Sequence, residues 1–173
     1  MMTFLKSNKM NMNSYKIRIF GVIVSILFFS LNSFSQVDTS IVKFKNAPSV
    51  WSPKGYSHAA IIDLGNSQMM IISGQIPFDM NGNLVGKSDL GKQAEQVFLN
   101  MKSVLAQSGG TIDNLVKITT YITDISQLSA FRDVRNKFIN LNQPPTSTLV
   151  QVSKLFRDDV LIEIDAMAII PKK

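Results

Sequence analysis

The stretch that most constrains this chain is its last apolar one, running from Val160 to Ile170. Val160, Ile162, Ile164, Ala166 and Ala168 recur at every second position, with Leu161, Glu163, Asp165 and Met167 between them. A period of two belongs to a half-buried strand, and so apolar a face requires a core to pack against. Glu163 and Asp165 then leave the opposite face about 7 Å apart, looking into the same space. Two carboxylates on such a strand either meet partners in a cleft or sit at a solvated edge. A second β-rich run, 148–155, precedes it, with the polar turn Arg157-Asp158-Asp159 between the two. That pair reads as an antiparallel hairpin. In the earlier run Ser147, Leu149 and Gln151 share a face.

The other end of the chain has a different character. Lys6, Lys9, Lys16 and Arg18 precede the apolar run 19–31, and small residues follow through Ser35. A basic segment, a short apolar core and small residues describe a secretory signal peptide over 1–35, removed on export to the periplasm or the cell exterior. The apolar run is shorter than the roughly 18 residues that span a bilayer, so no membrane association is expected once the leader is cut. The full chain of 173 residues carries 18 basic and 12 acidic side chains. Without the leader's four basic residues the balance is 14 to 12, and the basic excess is mostly a targeting feature. No basic stripe with interleaved aromatics is present, which argues against nucleic acid as a partner. With no Cys, disulfides, thiolate chemistry and Cys-based metal sites are excluded.

Between these ends lies a series of punctuated runs. Residues 36–46 begin polar and read as an N-terminal segment with a short edge strand at Ile41–Lys45; the domain proper spans 47–173. The runs 57–64 and 68–73, separated by Gly65-Asn66, form a hairpin. From Leu90 the period becomes helical, with Asp89 as N-cap and Gly109-Gly110 as the stop. The run 116–123 is a strand alternating Val116, Ile118, Thr120 and Ile122 against Lys117, Thr119, Tyr121 and Thr123. A second helix runs from about Ser126 to Leu141, with Leu128, Phe131, Val134, Phe138 and Leu141 inward, until Pro144-Pro145 breaks it. The order β-β-β-α-β-α-β-β is an α+β fold with two helices on one face of a mixed sheet. The other face would carry Met69, Ile71, Tyr121, Leu149, Leu161 and Met167, too much apolar surface for water. A second copy of the same sheet covers it most simply, so a homo-oligomer is expected.

Few residues suggest chemistry on their own. His58 is the only histidine, which makes a metal site improbable and favours a structural role. No nucleophile elbow and no Gly-rich phosphate loop occurs.

Taken together, several short motifs carry a resemblance. Gly55-Tyr56-Ser57-His58-Ala59, Ser73-Gly74-Gln75-Ile76-Pro77, Asp79 with Gly82, and the helix from Gln93 through Asn100 come first. Val116-Lys117-Ile118-Thr119, Tyr121-Ile122-Thr123-Asp124 and Ile162-Glu163-Ile164-Asp165-Ala166 follow. Their order and spacing resemble the RidA (YjgF) family over residues 44–170. The resemblance implies a chorismate-mutase-like subunit in a homotrimer, with small-molecule clefts between subunits. It also implies cofactor-free hydrolysis of reactive enamines and imines to 2-oxo acids and ammonia. By the same resemblance Glu163 orients the water, Tyr56 and Ser73 line the cleft, and Arg135 stands where the family has a cleft Asn. Ser147, with Thr148 beside it, stands where the family has the Arg that grips a substrate carboxylate. A hydroxyl cannot replace that charge-assisted fork, so an altered substrate is expected. A non-catalytic binding module with the same clefts is the alternative, and a chaperone-like or structural role of the apolar face a weaker third.

Overall fold

The computed structural model describes residues 41–172; the leader expected over 1–35 lies outside them. Six strands among the described residues form one sheet, β1 (Val42–Lys45), β2 (Ala59–Asp63), β3 (Ser67–Gln75), β4 (Leu115–Ile122), β5 (Thr146–Gln151) and β6 (Ile162–Pro171), in the spatial order β1-β2-β3-β6-β4-β5. Helices α1 (Leu90–Ala106) and α2 (Leu128–Phe138) follow β3 and β4, and short 3-10 turns precede β4 and α2. The expected element order and its α+β class are those of the molecule.

The sheet assembles around β6, whose residues alternate between buried and half-buried from Ile162 to Ile170. It runs antiparallel to β3 on one side and to β4 on the other. The 148–155 and 160–170 runs therefore do not form a hairpin. β5 is the edge strand and pairs with β4 in parallel, reached by the α2 crossover that parallel neighbours require. The expected turn exists, with Val160 N–H donating to the Arg157 carbonyl at 3.2 Å. The connector from Val152 to Leu161 is long enough to pass the end of β4, which separates β5 from β6 by two strand spacings of about 4.8 Å each. It is pinned at both ends to β4, by Val152 N–H to the Ile122 carbonyl at 2.8 Å and Thr123 N–H to the Leu161 carbonyl at 3.1 Å.

Both helices pack on one face. Phe98, Met101, Leu105 and Phe131 meet Met70, Ile72, Ile118, Ile122, Ile162 and Ile164 in a single core, every one of them almost fully buried. Phe98 stacks between Phe131 and Phe138, with ring centroids 6.5 and 5.0 Å apart. Asp89 caps α1 through Lys92 N–H at 3.0 Å. Beyond α1, Gly109 at φ 73° lets Gly110 N–H return to the Leu105 carbonyl. The β2–β3 turn forms as expected, with Gly65 at φ 82°.

Four of the expected face assignments differ. A register shift between Leu115 and Lys117 sends Val116 outward and gives its buried place to Leu115. Helix α2 stops at Phe138, because Ile139 is extended and the Asn140 side chain accepts from Asn142 N–H, leaving Leu141 exposed. Leu149 pairs with the buried Thr120, and Leu161 is drawn to Gln93 of α1, so both pack against the helix-covered core and not on the open face. The open face keeps Met69, Ile71 and Met167 and adds Phe44 from β1 and Ile169 from β6.

Candidate functional site

Where β3 leaves the sheet, its register with β6 shifts between Ile72 and Gln75, and the backbone opens at Ser73-Gly74. A cavity of about 510 Å³ lies there, lined by Trp51, Lys54, Tyr56, Ser73, Gly74, Ile76, Phe156 and Glu163. Trp51, Lys54 and Tyr56 come from the β1–β2 connector, Phe156 from the β5–β6 connector, and Glu163 from β6.

Local packing fixes each wall. Trp51 stands edge-on to Phe78 at 5.2 Å, and a Cβ on Gly82 would fall 2.6 Å from its indole nitrogen. Phe156 also packs edge-on to Phe78, at 5.8 Å. The Arg157 guanidinium lies 4.9 Å over the Phe78 ring and forks onto Asp159 at 2.8 and 2.5 Å. Gln93, fully buried on α1, holds the same connector by donating to the Asp159 carbonyl and accepting from Leu161 N–H. His58 fastens the β1–β2 connector: its Nδ1 accepts from Ala47 N–H at 3.0 Å and its Nε2 meets the Trp51 carbonyl at 3.0 Å. Burial pushes its pKa down, and because Nδ1 accepts a backbone N–H, the proton of the neutral ring falls on Nε2. His58 is a structural clamp.

The polar groups of the cavity have distinct states. Ser73 donates its hydroxyl proton to the Ser57 carbonyl at 2.6 Å, so it faces the cavity as an acceptor. Burial, and next the Asp165 charge, push the Glu163 carboxyl above the ordinary value. No described residue donates a hydrogen bond to that carboxyl. The Tyr56 phenol is raised too, by burial and then by the Glu163 charge. Asp165, two residues along the same face, accepts from the Tyr121 hydroxyl at 3.2 Å. A desolvated carboxyl with no internal partner is the group most ready to exchange a proton with, or pair to, a bound molecule.

The other expected site residues lie elsewhere. Ser147 pairs with Ile118 on the helix-covered face, whereas Glu163 pairs with Tyr121 on the open face. Ser147 and Arg135 together line a second depression of about 450 Å³, with Arg132, Phe131, Leu128, Ile125 and Leu149. The half-buried Arg135 lies 5.9 Å over the Phe131 ring and bonds to Asn136. Thr148 pairs with Thr119, the partner of Asp165, on the open face and away from both depressions. Within one chain, then, Tyr56, Ser73 and Glu163 come together, as do Arg135 and Ser147, and the two groups stay apart. Sequence reasoning missed Trp51, Lys54, Gly74, Ile76 and Phe156 as site residues; Gly74 and Ile76 entered only within the Ser73-Gly74-Gln75-Ile76-Pro77 motif. Among the described residues no group of three or more His, Asp or Glu side chains is placed to hold a metal ion, and no helix is long and apolar enough to cross a membrane.

Two helices on one face of this mixed sheet, with a cavity where β3 breaks from β6, define a chorismate-mutase-like α+β subunit. A family model described as Endoribonuclease L-PSP matches residues 44–170. A RutC family protein of Pyrococcus abyssi is 31% identical over 128 residues, covering 74% of this chain and 94% of that protein. The crystal structure of the Rid family protein YyfA from Yersinia pestis, of unknown function, is 32% identical at a TM-score of 0.66, covering 73% of this chain and 98% of that one. That of E. coli TdcF with bound serine is 27% identical at a TM-score of 0.60, covering 75% and 98%. The chain belongs to the RidA (YjgF) family.

Proposed function

We propose that this protein is an exported RidA-type hydrolase that handles small amino-acid-derived molecules at the Glu163 cavity, in clefts completed between subunits of a homotrimer. The single observation that carries the reading is the state of Glu163, a half-buried carboxyl that lies among aromatic walls and has no hydrogen-bond donor among the described residues. In an imine hydrolysis, Glu163 would take a proton from water as its oxygen adds to the C=N carbon. Glu163 would return that proton to the nitrogen and then carry the carbinolamine's hydroxyl proton to it as well, so that the nitrogen leaves as ammonia while the carbonyl of the 2-oxo acid forms. Serine bound in the TdcF structure supports an amino-acid-sized ligand class.

The assembly is supported by two features. Met69, Ile71, Met167 and Phe44 leave an apolar sheet face uncovered by any described element, and Ile71 and Phe44 are exposed by 42% and 70%. The separation of Ser147 and Arg135 from Glu163 also fits a cleft whose halves come from different copies. Export rests on the basic, apolar and small-residue pattern of 1–35.

The test uses an imino acid generated in situ from its amino acid by an oxidase, with 2-oxo acid and ammonia followed with and without the protein. Acceleration that Glu163→Gln abolishes supports the hydrolase. Ser147 in the Arg place favours a second reading, a non-catalytic binder of the same fold. No acceleration, with ligand-dependent thermal shifts that Glu163→Gln removes, would install that reading instead.

A further inference from the structure

Resting on the reading that the Glu163 cavity binds small molecules, we propose that Lys54 is its anion anchor and selects amino-acid-like zwitterions with a large apolar or aromatic side chain.

The cavity wall carries one cationic side chain, Lys54, and one acidic one, Glu163. Between them the lining is Trp51, Tyr56, Ile76 and Phe156, apart from Ser73 and Gly74. Lys54 is exposed, and no described residue forms an ion pair with it. Its ammonium rests 5.9 Å from the Trp51 ring centroid, a contact that orients it without neutralising it. A Lys held at a rim by an aromatic face, with its charge unspent, meets an incoming anion at little desolvation cost. The opposite charge requirement falls on Glu163, which lacks an internal donor and pairs with an ammonium or iminium group.

Size decides the rest of the ligand. A cavity of about 510 Å³ falls in the range that takes drug-sized molecules, and a serine-sized ligand leaves the Trp51 and Phe156 faces in contact with water. A ligand that carries both charges on one carbon and an apolar ring satisfies all three walls. This assignment differs from the one that places the anion near Ser147, because Lys54 and Glu163 share a cavity in one chain and Ser147 does not.

Isothermal titration of the full chain with four probes separates the contributions: phenylalanine, 3-phenylpropanoate (no amine), phenethylamine (no carboxylate) and serine (no ring). Wild type is expected to bind phenylalanine at least about tenfold more tightly than serine. Lys54→Ala should weaken phenylalanine and 3-phenylpropanoate by about tenfold and leave phenethylamine unchanged, and Lys54→Arg should restore both acids. Equal weakening of all three ring probes would make Lys54 a packing residue and overturn the proposal. So would no change in any of them, or serine binding as tightly as phenylalanine. If the acid preference survives Lys54→Ala and disappears in Arg135→Ala, the cavity reading stands and the anchor lies at Arg135. If wild type binds none of the four probes, the cavity reading falls and this inference with it.

Discussion

Gly74 lies directly beneath the Glu163 carboxylate: a Cβ at position 74 would strike Oε1 and stand 2.8 Å from Cδ. The β3 break and the β6 carboxylate are therefore one device, since the bulge supplies the room that the side chain occupies. The atoms that a Cβ displaces are the far end of a flexible side chain, so the fold can yield by swinging Glu163 aside. Gly74→Ala is expected to cost under about 1 kcal/mol of stability while reducing ligand binding or turnover at least about tenfold. Chemical denaturation and the titrations above, run on the same sample, check it. An active Gly74→Ala protein would mean that Glu163 is not held where it must act.

Glu163 also has a stability signature. Its folded pKa is raised above the unfolded value of 4.5, so between those two values the folded state holds more protons. Stability then falls as pH rises through that window and stays lower above it. Glu163→Gln should remove this loss: the variant melts a few degrees above wild type at pH 8 and close to it at pH 4, while losing function. Melting curves at the two pH values read the difference, and a variant less stable than wild type at pH 8 counts against a desolvated carboxylate.

How far the sequence reveals this site depends on what each signal encodes. The alternation in Val160–Ile170 marks β6 and its buried face, because side-chain period is a local property. Pairing is not local. Arg157-Asp158-Asp159 does turn the chain, yet nothing in composition says that β4 will sit between β5 and β6. For the same reason Ser147 and Glu163 appear as neighbours along one hairpin and lie on opposite faces of the sheet. The Val116 bulge hides within an apolar run that reads equally well in either register. Lys54 and Phe156 belong to loops without periodicity, and only the cluster around Phe78 shows that both loops bend toward the cavity.

His58 makes a second pH dependence with the opposite sign. It is 2% exposed and its folded pKa is lowered from 6.5. The unfolded chain takes up a proton that the folded one refuses, so the stabilisation is complete above about pH 6.5 and is lost as pH falls through the folded value. His58→Leu leaves the buried Ala47 N–H without its acceptor and should cost about 2–3 kcal/mol at pH 8. The deficit relative to wild type should shrink toward pH 5. A gap that is constant with pH in urea denaturation would show that the ring has the same pKa folded and unfolded, and that burial does not depress it.

The last prediction separates the two faces of the sheet. Ala166 is 1% exposed and faces the helices, whereas Ile71 is 42% exposed and pairs with Met167 on the open face. A carboxylate at 166 has no partner within the core, and Ala166→Asp should cost more than about 3 kcal/mol and leave little folded protein. At 71 the same charge points away from the subunit core. Ile71→Asp should keep the wild-type far-UV circular dichroism yet sediment as a single subunit, while wild type at micromolar concentration sediments as a trimer. The contrast isolates assembly from folding, because both variants introduce the same carboxylate into the same sheet. If Ile71→Asp retains the trimer mass, the open face is covered by something other than further copies of this chain. If wild type itself sediments as one subunit, the cleft between copies does not form, and the Glu163 cavity must work with the residues of a single chain.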